Sequence, residues 1–399
     1  MKTVLVVIDG VGDEPNPKHG FKTPLEAAFS PNIHYIATNG RIGRINTVFE
    51  GFPIESMVCI MGLLGYEPER FYPSGRASFE AIAKGIHLNP SDLVLRCNLI
   101  SLDEDKNIIT DFTAGLISDS NAKKIITKIE LPYSNWELYP GQSYRNILIV
   151  RGVNSDVKNL KCFEPHMNIG NNTNDILPYN KIDEHDAIIN QVKDFLIDTK
   201  SQIAAMDLPI DCKADMLWVW SPSTKPDWPS FRSRTGLKAS FVGALDFLHG
   251  IAMAADIHFD IIPGATGYID TDYKAKGEYA KKYLADNDLL LVHINATDEE
   301  AHQYNFLGKT DAIEKIDRDI IGPLLFELEK KYKGEYRIVV CGDHETRSTD
   351  GKHGDAPVPY AIYGVGIEPS VNPMSLTEKN CQQFTPTLSL NFLKEITSR

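Results

Sequence analysis

Three apolar runs constrain this chain more than anything else in it. Residues 4–8 (VLVVI), 289–294 (LLLVHI) and 338–341 (IVVC) each read as a buried strand, and each is followed within four residues by an aspartate. A half-exposed strand alternates apolar and polar residues; a run that is apolar throughout belongs to a strand covered on both faces, as in a parallel sheet. The stretch 337–360, RIVVCGDHETRSTDGKHGDAPVPY, is the most informative: its strand stops at Gly342 and delivers Asp343, His344 and, nine residues on, His353.

Helical patterns alternate with these strands. They begin at Leu25 and at Ile33, the latter stopping at Gly40, and run over 183–206 and 311–332, while GLKASFVGALDFLHGIAMAADI reads as a strand leading into a helix. Strand–helix alternation of this kind predicts an α/β core with a mostly parallel central sheet. At 399 residues the chain exceeds what a single core usually spans. The texture changes over 107–180, with a helix near 120–129, a strand over 144–150 and an Asn-rich run. The expected organisation is a core formed by 1–106 and 181–399 with an inserted smaller α/β subdomain at 107–180.

Composition narrows the function. With 41 basic against 54 acidic residues the formal net charge is −13, and no basic stripe exists to neutralise a phosphate backbone, which argues against a nucleic-acid partner. An anionic small substrate would need a local arginine cluster or metal ions. The six cysteines are scattered without a C-x-x-C pair, as expected of reduced thiols in the cytoplasm. The run 4–8 is too short for the core of a signal peptide, and no segment has the length of a membrane span.

The chemistry gathers where strands end. Asp9 closes the first strand; Gly10 and Gly12 follow, but Pro15 and Pro17 stand where a dinucleotide-binding helix would begin. Ser56 precedes an apolar run after a Pro-containing turn, where it is either an N-cap or a nucleophile. Asp298 and His302 are spaced i, i+4, which puts them on one face of a helix. Asp343, His344 and His353 add a hard oxygen and borderline nitrogens, donors suited to Mn²⁺, Zn²⁺ and similar ions.

The sequence resembles the archaeal-type cofactor-independent phosphoglycerate mutases of the alkaline phosphatase superfamily. The resemblance spans most of the chain and is carried by VVIDGVGD, KTPLEAAFSPNI, LLGYEPERFYPSGRASFEAIAKG, LRCNLISL with DFTAGLIS, YRNILIVRG with the later EPH, GLKASFVG with PGATGYIDTDYKAK, VHINATDEEAHQYNFLGKTDAIEKIDRDI and GDHETRSTDGKHGDAPVPYAIYG. It implies an alkaline-phosphatase-like three-layer core. It also implies two divalent metal ions, Mn²⁺ foremost with Zn²⁺, Co²⁺ or Mg²⁺ as alternatives. One would be held by Asp298, His302 and His353, the other by Asp9, Ser56, Asp343 and His344. Ser56 would be the nucleophile, with Arg96, Arg145, Arg151, His166 and Lys238 near the carboxylate or phosphate of a small phosphorylated acid.

The implied function is interconversion of 3-phosphoglycerate and 2-phosphoglycerate through a phosphoserine, in glycolysis and gluconeogenesis, without 2,3-bisphosphoglycerate, by a cytoplasmic protein for which a homo-oligomer is compatible. The inserted subdomain would serve as a lid that excludes water. Two places depart from the family pattern: Met57-Val58-Cys59-Ile60 follows Ser56 where the family carries polar residues, and Gly75-Arg76-Ala77-Ser78 stands for Gly-Arg-Gly-Pro. The alternatives are a metal-dependent phosphatase, a mutase of another phosphorylated metabolite, or a catalytically dead sensor. The seven potential ligands speak against the last.

Overall fold

The structure, a computed structural model, describes residues 1–210 and 212–398. The chain divides into two units, one of residues 1–72 with 228–399 and one of residues 73–227.

The first unit is built on an eight-stranded sheet. Its order is His258–Phe259, Ala239–Val242, Leu289–Ile294, Lys2–Ile8, Tyr336–Cys341, Val358–Gly364, Arg41–Asn46 and Thr387–Leu388. The first five strands run parallel, and Val358–Gly364 is antiparallel to both of its neighbours. The three apolar runs read from the sequence are adjacent strands at its centre, with Lys2–Ile8 in the middle. Val4, Val6 and Ile8 pack into one apolar cluster with residues from helices Pro31–Asn39, Tyr273–Leu284 and Phe306–Ile316. Leu5 and Val7 point the other way and are equally inaccessible, so both faces are covered. That coverage leaves the carboxyl ends of the strands as the place for polar chemistry.

One detail of this unit concerns its two chain crossings. Trp228 stacks on Tyr66 with centroids 4.4 Å apart, and its indole N–H donates to the Phe71 carbonyl at 2.7 Å. The Tyr66 hydroxyl donates to the Pro229 carbonyl at 2.8 Å. The residues that lead into and out of the second unit are therefore tied side by side.

The second unit is an antiparallel five-stranded sheet. Leu93–Leu102 is central, paired with Met216–Ser223 on one side and Arg145–Val150 on the other. Its boundaries correct the 107–180 expectation: residues 93–102 and 216–223 lie outside that range, yet they are partners in this sheet. Leu93, Leu95, Cys97 and Leu99 join a cluster with helices Asp119–Ile126 and Ala187–Ala204, while Val94 packs in a second cluster with Ala77 and Ala81 of helix Ala77–Ala83. Period-two alternation sends Arg96 and Asn98 to the Val94 side.

Arg151 departs from its expected role as a substrate residue. Its guanidinium donates to Asp92 at 2.7 Å, to Glu137 at 2.5 Å and to the His87 carbonyl at 2.8 Å, so its fork is engaged within the unit. Burial would raise the Asp92 carboxyl, but N–H donors from Asn89 and Gly152 and the Arg151 charge hold it below its usual value; Arg151 does the same to Glu137. Arg151→Ala should cost about 2–3 kcal/mol, because Asp92 is left as a buried charge. Carboxyls held low stabilise above their ordinary range and lose that contribution as pH falls through their folded values. The gap in urea midpoint between wild type and Arg151→Ala should therefore be full at neutral pH and narrow below about pH 4.

Among the described residues, no helix is long and apolar enough to cross a membrane.

Candidate metal centre

All seven potential ligands read from the sequence lie in the first unit and come together at the strand exits. Asp9 follows the central strand, and Asp343 and His344 follow its neighbour Tyr336–Cys341. Asp298 and His302 share helix Ala296–His302, which is separated from Leu289–Ile294 by Asn295 alone. His353 lies on the short hairpin of Glu345–Thr346 with His353–Gly354. Ser56 is the first residue of helix Ser56–Leu63, and Glu55 holds the N-cap position, so the reading of Ser56 as N-cap does not hold. Gly10 is left-handed at φ 60°; a Cβ there would meet Thr346 Oγ1 at 2.5 Å and Asp298 Oδ1 at 2.7 Å, so this turn needs glycine.

The donors form two groups that meet at His344. In the first, His302 Nε2 is 3.2 Å from Asp298 Oδ2, His353 Nε2 is 3.5 Å from Asp298 Oδ1, and the two Nε2 atoms are 3.1 Å apart. The far nitrogens are fixed by backbone: His302 Nδ1 lies 2.7 Å from the Gly351 carbonyl and His353 Nδ1 2.6 Å from that of Ile54, which aims both Nε2 atoms at Asp298. Thr346 Oγ1 donates to Asp298 Oδ1 at 2.6 Å. In the second group, His344 Nε2 is 3.3 Å from Asp9 Oδ1 and 3.9 Å from Asp343 Oδ2. The N–H groups of Gly10 and His344 donate to Asp343 Oδ1 at 3.0 and 2.9 Å. Ser56 Oγ lies 3.2 Å from Asp9 Oδ1 and 3.2 Å from His344 Nε2.

The electrostatics ask for cations. Burial pushes the Asp9 carboxyl far up, and the nearby charge of Asp343 adds to it. Burial opposes ionisation of Asp298 too, but His302 and His353 override it and hold that carboxyl well below its usual range; in return Asp298 lifts His302 to about 9. Donor atoms of Asp298, His344 and His353, and of Asp9, Asp343 and His344, lie within 4.8 Å of one another in each set. Asp343 Oδ2 is buried without a hydrogen-bond partner. Hard oxygens, imidazole nitrogens and an orphaned carboxylate oxygen fit divalent ions.

The expected substrate residues divide. Lys238 is in the first unit but immediately before Ala239–Val242, where its backbone meets Asp288 and Leu289 at the start of the neighbouring strand. It stands at the opposite end of the sheet from the ligands. Arg151 is the clamp described above. Arg96, Arg145 and His166 do cluster in the second unit, joined by Arg76, which was not singled out from the sequence although it lies in the quoted GRAS motif. The Arg96 guanidinium is 4.1 Å and that of Arg76 5.6 Å from the Trp220 ring centroid, and His166 packs edge-on at 5.5 Å. Glu80 pairs with Arg96 at 3.1 Å, yet Arg96 Nη1 is buried without a partner. Burial first, then Arg76 and Arg145, lowers Arg96 to about 9 against the pull of Glu80. Burial and the same cluster's Arg76 and Arg96 lower His166, against Glu164. A cation cluster that depresses its own members suits an anion. The Ala77-Ser78 departure also has a local reason: the Ser78 N–H donates to Ser223 Oγ at 2.8 Å, a bond proline could not make.

The sequence reading also missed His293. It is a lone polar residue inside an apolar strand, and its Nε2 is 3.6 Å from both Asp9 Oδ2 and Asp343 Oδ2.

The sequence profile described as 2,3-bisphosphoglycerate-independent phosphoglycerate mutase matches residues 37–203. The 2,3-bisphosphoglycerate-independent phosphoglycerate mutase 2 of Methanothermobacter thermautotrophicus is 34% identical over 376 residues, covering 92% of this chain and 90% of its own. The Methanosarcina acetivorans 2,3-bisphosphoglycerate-independent phosphoglycerate mutase is 35% identical over 373 residues, 91% and 90% of the two chains. Among solved structures, a Pyrococcus horikoshii protein at 22% identity has the same fold, with a TM-score of 0.81 over 99% of this chain and 96% of that one. The cofactor-independent phosphoglycerate mutase of Thermoplasma acidophilum, 26% identical, superposes with a TM-score of 0.67 over 99% of each chain. Since two relatives a third identical run with it almost end to end, and its strand exits carry the ligand types that the resemblance implied, the chain belongs to the family of 2,3-bisphosphoglycerate-independent phosphoglycerate mutases.

Proposed function

We propose that the protein interconverts 3-phosphoglycerate and 2-phosphoglycerate by way of a phosphoserine at Ser56, in glycolysis and gluconeogenesis. The observation that carries this reading is the placement of Ser56 Oγ between Asp9 and His344, at 3.2 Å from each. Two divalent ions, manganese foremost with zinc, cobalt or magnesium as alternatives, would be held by Asp298, His302 and His353 and by Asp9, Ser56, Asp343 and His344. When bound they supply Lewis acidity and neutralise the charge of the phosphoryl oxygens.

The chain's own groups do the rest. The Ser56 hydroxyl donates to Asp9, so its proton has an acceptor as Oγ bonds to phosphorus and the ester P–O bond breaks, and the departing glycerate oxygen gains one proton for the one that Ser56 gives up. The products of that step are phosphoserine and glycerate. Reversal onto the other glycerate hydroxyl gives the isomer, so the balance needs no second phosphoryl donor. Met57, Val58, Cys59 and Ile60, each at most 1% exposed, make a dry floor behind the nucleophile that disfavours hydrolysis. The Arg76, Arg96, Arg145 and His166 cluster suits the carboxylate or phosphate of such a substrate.

The test is incubation of metal-loaded protein with 3-phosphoglycerate, following 2-phosphoglycerate and free phosphate together. Isomerisation should exceed phosphate release. Phosphate appearing faster than 2-phosphoglycerate would replace the mutase reading by a phosphatase.

A further inference from the structure

His293 is 1% exposed, and neither of its ring nitrogens has a hydrogen-bond partner among the described residues. Leaving a buried donor or acceptor unpaired is destabilising, so a ring with both nitrogens bare needs a reason. Packing does not supply one, because phenylalanine or leucine would fill a strand interior without the penalty.

The surroundings supply one. His293 lies on Leu289–Ile294 opposite Val7 of the central strand, and Val7 lies opposite Cys341, so the exits of these strands bring Asp9 and Asp343 to the histidine. His293 Nε2 is 3.6 Å from Asp9 Oδ2 and 3.6 Å from Asp343 Oδ2, and the second of these oxygens is itself orphaned. At 3.6 Å neither contact is a hydrogen bond. It is close to the separation of atoms that share a tetrahedral ion: with bonds of about 2.1 Å, neighbouring ligands of a tetrahedral centre lie roughly 3.4 Å apart, against roughly 3.0 Å in an octahedral one. Asp9 has Oδ1 toward His344 and Oδ2 toward His293, with Ser56 Oγ 3.2 and 3.3 Å from the two oxygens, so the two imidazoles lie against opposite oxygens of one carboxylate.

We infer that His293 Nε2 is a further ligand of the divalent ion held by Asp9 and Asp343, bringing to two the imidazoles of that half-site. The inference rests on the reading that this half-site holds a divalent ion. It accounts for the orphaned Nε2 and the orphaned Asp343 oxygen at once.

The experiment counts imidazoles and ions. Protein loaded with Co²⁺ is examined by proton NMR, where each bound histidine gives a hyperfine-shifted exchangeable ring N–H. Four such resonances are expected in wild type, from His293, His302, His344 and His353, and three in His293→Phe and in His293→Gln. In parallel, Mn²⁺ titration should show one of two sites weakened at least about tenfold in both variants. Unfolding of metal-free protein checks the fold, and His293→Phe should be no less stable than wild type there, since it removes two unpaired nitrogens. Three resonances in the wild type, or two undiminished Mn²⁺ sites in both variants, would overturn the assignment of His293 while leaving the metal centre standing. Wild-type protein that takes up no divalent ion would overturn the metal centre as well.

Discussion

Ser56→Ala protein is expected to fold normally and to isomerise phosphoglycerate at least about 10⁴-fold more slowly than wild type, because the substitution deletes the attacking atom. Little else changes. Ser56 opens helix Ser56–Leu63 one residue after its N-cap, Glu55, and alanine at least matches serine as a helix former. Asp9 Oδ1 and His344 Nε2 keep their own 3.3 Å approach, and the Asp298, His302 and His353 group does not include the serine. Circular dichroism and urea midpoints should therefore overlay those of wild type, and at least one ion should remain bound. Isomerisation within tenfold of wild type in this variant would show that transfer does not pass through Ser56.

The second large effect should come from the cations. Chelation is expected to abolish isomerisation, with Mn²⁺ restoring it, and Asp298→Asn is expected to lose one bound ion and about 10³-fold or more in kcat/KM. Asp298 is the common contact of His302, His353 and Thr346, and it carries the only negative charge within that set. An amide in its place leaves two histidines with Nε2 atoms 3.1 Å apart and no anion between them. Metal analysis after dialysis reads the lost ion, and steady-state kinetics at saturating Mn²⁺ the lost rate. Undiminished turnover by protein verified as metal-free would end the metal reading altogether.

The parts of the site that could be read from sequence are those where chemistry and strand ends coincide. Asp9, Asp298, Asp343 and His344 each follow an apolar run within four residues, and local pattern is enough to find them. His293 shares that strand but not the signal, since a single histidine inside LLLVHI looks like core until its bare nitrogens are seen beside two carboxylates. Arg151 and Lys238 fail for the opposite reason: residue type cannot tell an anion-binding arginine from one locked to Asp92 and Glu137, nor say which end of a strand a lysine marks. The unit boundary was hidden because residues 93–102 and 216–223 pair across more than a hundred residues. The sequence pattern reads 311–332 as one helix, yet a π segment, Asp317–Ile321, interrupts it. There Asp317 accepts the N–H groups of Asn32 and Ile33 at 3.2 and 2.7 Å, capping a helix nearly three hundred residues earlier in the chain.

The stacked Trp228 and Tyr66, with the Phe71 and Pro229 carbonyls tied to them, have a consequence for how such a chain can vary. Because the first unit fastens both crossing points itself, what lies between them is, to that unit, a loop with fixed ends. Closing a flexible loop costs only about 0.6 kcal/mol more for each doubling of its length. The intervening module is thus free to lengthen, shorten or be exchanged with little penalty to the sheet of the first unit.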